Sequence, residues 1–212
     1  MMNLQKLLIL SLVSVMAFTG CEQPKPIKTI ENLKAGIKGE TTASARYSAF
    51  SQKAMEEGSA SIALLFEAAS KSEAIHASNH TNVLEKLGEK MEDFKPEFEV
   101  KSKAENLQTA IDGESYEVAT MYPQFLAEAT TEKVENAVKS FTWAFDTEKK
   151  HQQFYTKALQ ELASNTECTL PIGYAVCPVC GNTYNLADVN AKCAFCQTPK
   201  EKFINFNLKS AV

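Results

Sequence analysis

The feature that most constrains the fold of this chain is a set of four helical stripes of apolar residues. Each stripe has a glutamate at a position where the pattern predicts a core residue. Between about residue 28 and residue 163, proline and glycine are scarce and apolar side chains recur with the 3.6-residue period of an amphipathic helix. The glutamates at these positions are Glu40, Glu73, Glu114 and Glu148, one in each helix. Helices of roughly 25–30 residues, with EDFKPEFEV as a long connection, predict an antiparallel-type four-helix bundle with one crossover.

Turn and capping residues indicate where the helices should end. Glycine ends a helix by adopting a left-handed conformation, and serine or threonine commonly caps the next one. The third helix is expected over about residues 102–129. The expected breaks are Gly58 followed by the N-cap Ser59, then Gly88, then Thr130 or Thr131 as the cap of the fourth helix.

Two of the glutamates open the same short motif, EAIH at residues 73–76 and EKKH at residues 148–151. Glu40 precedes Glu73 by 33 residues and Glu114 precedes Glu148 by 34, so each half repeats one glutamate and one E-x-x-H. A single E-x-x-H is usually a solvated pair. Four core glutamates are different, because unpaired carboxylates in a low-dielectric core are costly. We therefore expect two metal ions, and oxygen-rich ligands favour iron or manganese over zinc or copper.

Two further residues beside these motifs have more than one interpretation. Glu117 lies one turn after Glu114. It is either a boundary residue that faces solvent or a fifth carboxylate that competes with a histidine for one metal ion. His80 lies four residues after His76. We expect His80 to be satisfied by hydrogen bonds beside the site or at the surface, because the repeated motif does not need it as a ligand.

The C-terminal tail contains two C-x₂-C turns, called knuckles below, separated by twelve residues. Four thiolates at this spacing can surround one ion tetrahedrally, and so short a tail needs a metal or a staple to fold. The four cysteines are Cys177, Cys180, Cys193 and Cys196. Rubredoxin-type iron and ribbon-type zinc both fit this spacing, whereas two dithiol redox motifs are less expected. FINFNL then predicts a closing strand, and Cys168 has no assigned role.

The first twenty residues differ from the rest of the chain. The weakly polar-to-apolar run over residues 7–18 is too short for a bilayer, which needs about 20 residues, so it predicts a signal-peptide core. The following FTGC resembles the lipobox of bacterial lipoproteins and predicts lipidation of Cys21. The alternative is ordinary secretory cleavage without an anchor. We expect an exported protein, held to a membrane only by this lipid, in the periplasm or at the cell surface.

Together, Glu40, EAIH, GESYE, EKKH and the paired knuckles resemble rubrerythrin, in that family's order and over about residues 28–206. The resemblance implies a mainly α protein, with a ferritin-like di-iron bundle and a small rubredoxin-like domain. Its second knuckle departs from the family, with Ala and Phe between the cysteines and Gln197 after them. The resemblance implies di-iron ligands Glu40, Glu73, His76, Glu114, Glu117, Glu148 and His151, iron–thiolate ligands Cys177, Cys180, Cys193 and Cys196, and catalytic tyrosines Tyr47 and Tyr122.

The resemblance also implies a function, a non-haem iron peroxidase that reduces hydrogen peroxide to water in defence against oxidative stress. Its cofactors would be two bridged irons in the bundle and one iron on the cysteines, with zinc as the alternative at the cysteines. Glu117 is the expected proton donor. The expected partners are an electron-donor protein and a second copy of the chain, with one subunit's tail near the other's di-iron site.

The expected organisation is a signal peptide at 1–20, a tether at 21–28, the bundle at 29–163, a linker at 164–174 and the rubredoxin-like domain at 175–212. The net charge is −4 and no basic block stands out, so nucleic acid is not an expected partner. A ferritin-like iron-oxidising or iron-storing protein is the alternative function, and a thiolate tail argues against it by favouring electron delivery. A zinc-ribbon protein with an inert bundle would leave the core glutamates unexplained.

Overall fold

The structure is a computed structural model, and it describes residues 24–208. The predicted signal peptide and its Cys21 lie outside the described residues. Across the part that is described, none of the helices combines the length and the apolar character needed to span a membrane.

Long helices build a bundle, as the periodicity predicts. In chain order they are α1 (Ile27–Glu56), α2 (Ala60–Lys86), α3 (Lys103–Tyr116), α4 (Tyr122–Thr131) and α5 (Glu135–Ala163). A π-helical turn, Glu117–Met121, joins α3 to α4 without a break, so the two form the third helix of a four-helix bundle. Helix α1 packs along α2, and α5 contacts α2, α3 and α4.

Most of the predicted helix ends are confirmed, and one is wrong. Gly58 and Gly88 have φ of +75° and +78°, the left-handed conformation that ends α1 and α2. A capping box between Ser102 and Glu105 begins α3. The threonines proposed as the cap of the fourth helix instead lie in the last turn of α4. Their hydroxyls donate to carbonyl oxygens four residues earlier, which satisfies them inside that helix.

An acidic layer divides the apolar core of the bundle into two clusters. Along every long helix the core glutamate lies between residues of one cluster and residues of the other. The first cluster includes Tyr47, Phe50, Phe66, Leu107 and Tyr155, and the second includes Leu33, Leu84, Tyr122, Phe125 and Phe141. The glutamates are thus enclosed on both sides by mostly apolar side chains, which solvate a charge poorly.

The tail forms a small antiparallel sheet in the order β2-β1-β3. Its strands are β1 (Gly173–Val176), β2 (Thr183–Asn185) and β3 (Ile204–Asn207). The predicted closing strand is confirmed as β3, which pairs with β1. The four cysteines of the tail and the rings of Tyr184 and Phe203 form a small core that is separate from that of the bundle.

Candidate metal centres

Glu73 and Glu148 lie between the two motif histidines, and each glutamate faces both of them. One oxygen of Glu73 is 3.0 Å from Nδ1 of His76 and the other is 3.0 Å from Nδ1 of His151. The oxygens of Glu148 lie 2.8 Å and 2.7 Å from the same two nitrogens. A carboxylate with one oxygen directed toward each of two positions has the geometry of a bridging ligand.

The remaining core glutamates complete two overlapping sets of ligand atoms, each within 4.8 Å. Glu40 joins the set that contains His76, and Glu114 joins the set that contains His151. Glu73 and Glu148 belong to both sets. The near-symmetric arrangement follows from the sequence repeat, because each half of the chain contributes one glutamate and one E-x-x-H at the same depth in the bundle.

These residues fit cations because four carboxylates crowd together in the core and three of their oxygens accept no hydrogen bond. Glu40, Glu73, Glu114 and Glu148 expose at most 2% of their surface. Glu40 Oε2 makes no hydrogen bond, and neither Glu73 Oε1 nor Glu148 Oε1 is aligned for one. Burial raises the pKa of Glu40 to about 8, and burial with Glu148 and Glu73 nearby raises the pKa of Glu114. A pair of divalent ions would neutralise this charge and use the free oxygens.

Both predicted tyrosines hydrogen-bond to core glutamates. Tyr47 on α1 donates to Glu114 over 2.6 Å, and Tyr122 at the start of α4 donates to Glu40. Each tyrosine therefore reaches across the bundle to the glutamate of the opposite half. Burial raises the pKa of both hydroxyls, which keeps their protons available for these bonds.

His80 is fully buried beside the glutamates, so the surface alternative for it is wrong. Its Nε2 is 3.1 Å from the hydroxyl of Tyr122, and its Nδ1 is 2.7 Å from the hydroxyl of Ser140. Burial and the nearby His76 lower the pKa of His80 to about 3, so the ring is neutral, with one donor and one acceptor nitrogen. Because Tyr122 donates to Glu40, the consistent arrangement runs from Ser140 through His80 and Tyr122 to Glu40.

Glu117 is half-buried at the first position of the π turn and is absent from both ligand sets. Burial, followed by the charges of Glu40 and Glu114, raises its pKa well above the usual range. A π turn often marks a functional site, because its extra residue shifts side chains around the helix. Glu117 is therefore close enough to feel the acidic layer while keeping contact with solvent.

The four knuckle cysteines converge on one point. Cys177 and Cys196 sulfurs are 3.4 Å apart, and Cys180 and Cys193 sulfurs are 3.5 Å apart. These separations are far longer than a disulfide bond of about 2.05 Å but suit four thiolates around one ion. Cys168 is exposed and lies outside this group.

The first knuckle rests directly on the two motif histidines of the same chain. Thr183 Oγ1 lies 2.9 Å from Nε2 of His151, the ring nitrogen opposite the one that faces the glutamates. Ser72 donates to the carbonyl oxygen of Gly181 over 2.6 Å, beside His76. Within the single chain, its own tail therefore occupies the position beside these histidines, while the expectation that one subunit's tail lies near the other's di-iron site concerns a dimer and stays a prediction.

Sequence reasoning missed the residues that make this contact and one aromatic neighbour. Tyr155 packs 6.2 Å from the ring of His151 and 5.4 Å from that of Tyr47, and its buried hydroxyl has no hydrogen-bond partner among the described residues. Its place one turn after His151 on the apolar stripe was a usable signal. Gly181 and Thr183 carried no signal, because nothing in their spacing indicates that the tail folds back onto its own bundle.

Comparisons with known proteins agree with this geometry. The rubrerythrin family model matches residues 31–159. Nigerythrin from Nitratidesulfovibrio vulgaris is 35% identical over 178 residues, which cover 82% of this chain and 85% of that protein. Rubrerythrin-2 from Clostridium acetobutylicum is 33% identical over 86% of this chain and 98% of its own length.

Solved structures extend the likeness to three dimensions. Fully reduced, all-ferrous nigerythrin superposes with a TM-score of 0.75 and 34% identity, over 84% of this chain and 86% of that one. A bacterioferritin from Desulfovibrio desulfuricans, 18% identical with a TM-score of 0.63, shares the fold alone. The two glutamate–histidine sets and the four cysteines fit the two-iron and one-iron cofactors of rubrerythrins. The chain belongs to the rubrerythrin family of di-iron oxidoreductases.

Proposed function

We propose that this protein is a peroxidase that reduces hydrogen peroxide to water, with electrons delivered through the four-cysteine iron site. The observation that carries the proposal is the contact between Thr183 and His151, which joins the two metal sites within one chain. A protein that only stored or oxidised iron would not need a thiolate site held against its di-iron ligands, so the contact disfavours the ferritin-like alternative.

In this proposal Glu73 and Glu148, which belong to both ligand sets, would help to hold both irons of the bundle. Glu40 and His76 complete one position, and Glu114 and His151 complete the other. When bound, two ferrous ions supply the two electrons that cleaving one O–O bond requires. The surrounding apolar clusters exclude water from this layer and strengthen every charge interaction inside it.

Reduction of one peroxide to two waters also consumes two protons, and the structure offers two sources. Glu117 is half-buried with a raised pKa, so it can hold a proton at its carboxyl and donate it beside the acidic layer. The second source is the hydrogen-bonded series from Ser140 through His80 and Tyr122 to Glu40. Ser140 lines a surface cleft, so a proton taken up there could be passed inward by successive transfers along the series.

Electrons would enter through the first knuckle. Cys180, one of the four thiolates, is three residues before Thr183, whose hydroxyl lies against His151. Electrons would cross this gap through a short length of backbone and one hydrogen bond. Because both ends belong to one chain, the route does not depend on a second subunit, although we retain a homodimer and an external electron-donor protein as part of the proposal.

Export and membrane anchoring also remain proposals, motivated by the FTGC sequence that ends at Cys21. Lipid labelling of the full-length protein tests the anchor, since it should disappear in Cys21→Ser. Labelling that persists in this variant would overturn it.

The electron route is tested by Cys193→Ser, with Cys168→Ser as the matched control, because Cys168 is exposed and does not belong to the thiolate group. Cys193→Ser should hold one iron fewer per chain. Its reduced bundle should still react once with peroxide in stopped flow, whereas sustained turnover with an external donor should fall to background. Cys168→Ser should keep both. Sustained turnover at the parent rate in Cys193→Ser would show that the tail is structural and would overturn the proposed electron route.

A further inference from the structure

A single lysine of the bundle is connected to the thiolate site by an unbroken series of hydrogen bonds. Lys150 lies on α5, next to His151, and its ammonium donates to Oδ1 of Asn182 over 2.6 Å. The side-chain nitrogen of Asn182 donates to the hydroxyl of Tyr184 over 2.7 Å. That hydroxyl donates in turn to the sulfur of Cys193 over 3.3 Å.

Every bond in this series points the same way, from the positive charge toward the thiolate. The Tyr184 oxygen also accepts from the backbone nitrogen of Ala194 over 2.9 Å, so its own proton is left for Cys193. Asn182 is fully buried, and Tyr184 exposes 9% of its surface. In such a low-dielectric setting, aligned hydrogen bonds polarise one another and strengthen the last bond of the series.

Aromatic rings hold the ammonium of Lys150 in place. It lies 4.5 Å from the ring centre of Tyr184 and 4.9 Å from that of Phe195, which follows Ala194 in the second knuckle. Its neighbour Lys149 instead lies over Phe145 and pairs with Asp146 on the same helix, at 2.8 Å. Of these two adjacent lysines, Lys150 therefore contacts the tail, whereas Lys149 contacts only residues of its own helix in the interactions described.

We propose that Lys150, acting through Asn182 and Tyr184, raises the reduction potential of the four-cysteine iron. Four thiolates give the iron site a net charge of −1 when ferric and −2 when ferrous. A nearby positive charge and a hydrogen bond to a thiolate favour the more negative, ferrous state. The bundle thereby makes the iron of its own docked tail easier to reduce, and Lys150 is a positioning residue that acts through its partners.

This inference rests on the proposed electron route, but its test does not use peroxide. The measurement is a redox titration of the ferric thiolate absorption in the full-length, iron-loaded protein. Lys150→Met, which removes the charge at similar length, should shift the midpoint to a more negative potential. Lys150→Arg keeps the positive charge, so its midpoint should lie close to that of the parent. The control Lys149→Met should have the same midpoint as the parent.

Tyr184→Phe tests the series itself, because it keeps the ring and removes only the hydroxyl. It should also shift the midpoint to a more negative potential, and the double variant with Lys150→Met should shift it by less than the sum of the two. Additive shifts, or equal midpoints in Lys150→Met and Lys149→Met, overturn the proposal. If Lys150→Met fails to retain iron, Tyr184→Phe decides alone, and an unshifted midpoint in it overturns the proposal. If the protein proves to have no peroxidase activity, the midpoints can still be measured and this inference can still be tested. If the midpoints do not shift, this inference fails but the proposed peroxidase function does not.

Discussion

The two knuckles have the same backbone turn but face different surroundings. In the first, the nitrogen of Gly181 donates to the carbonyl of Cys177 over 3.0 Å, and in the second Gln197 donates to Cys193 over the same distance. Both residues that end the turns are left-handed, with φ of +82° and +62°. The first turn lies against His76 of the bundle, whereas Gln197 is exposed.

The surroundings explain why the residue types differ. A Cβ on Gly181 would lie 2.3 Å from Nε2 of His76, which is closer than real atoms approach, and 3.2 Å from the carbonyl oxygen of Ser72, which is a tight contact. Gln197 has no such neighbour, and its side chain donates to the carbonyl of Cys193 over 3.2 Å. In the first knuckle, glycine is therefore needed because a side chain would overlap the bundle. In the second knuckle, which has no such contact, glycine is favoured only by the left-handed backbone, and another residue is tolerated there.

The largest effect should come from breaking the docked turn with Gly181→Ala. The overlap with His76 should disfavour docking by about 1–3 kcal/mol. The left-handed backbone should cost the turn itself about 1–2 kcal/mol more, whether the tail is docked or not. Hydrogen exchange over residues 72–80 should accelerate, and sustained peroxide reduction should fall while the thiolate absorption remains. The control is Gly39→Ala, where an added Cβ meets nothing within 4 Å. Parent-level turnover in Gly181→Ala would show that electrons do not need this contact.

A smaller effect is expected from Thr183→Val, which keeps the shape of the side chain and removes the hydroxyl that faces His151. Losing one hydrogen bond of about 1 kcal/mol should lower the ratio of docked to undocked tails roughly 5-fold. Stopped-flow transfer of electrons from the thiolate iron to the oxidised bundle measures this. Thr183→Ser retains the hydroxyl and should transfer at the parent rate. Equal rates in the valine and serine variants would remove the hydrogen bond from the route.

The smallest effect, and one of opposite sign, should come from Gln197→Gly. Glycine relieves a left-handed conformation that costs other residues about 1–2 kcal/mol, but it loses more backbone entropy on folding and the bond to Cys193. The net gain in the free energy of unfolding should be about 0.5–1 kcal/mol, measured by denaturant titration of the iron-loaded protein. A loss of stability would mean that the Gln197 side-chain bond outweighs the strain.

Much of the bundle and its ligand positions could be predicted because both depend on local periodicity. A stripe with a 3.6-residue repeat places Glu40 or Glu148 in the core whatever the exact crossing angle of the helices, and a charge there demands a partner. The error at Thr130 and Thr131 has a local cause as well. A threonine hydroxyl can cap the next helix or bond back within its own, and the sequence does not distinguish the two.

The sequence by itself determined the four-helix pattern, the paired glutamate–histidine motifs and the four-thiolate tail, since each depends on spacing along the chain. Only the tertiary structure decided that the tail docks on its own bundle, that Gly181 must remain without a side chain, and that Lys150 rather than Lys149 reaches the thiolates. These features join residues about thirty or more positions apart across a surface contact. Their geometry depends on how two folded parts fit together, which no local pattern encodes.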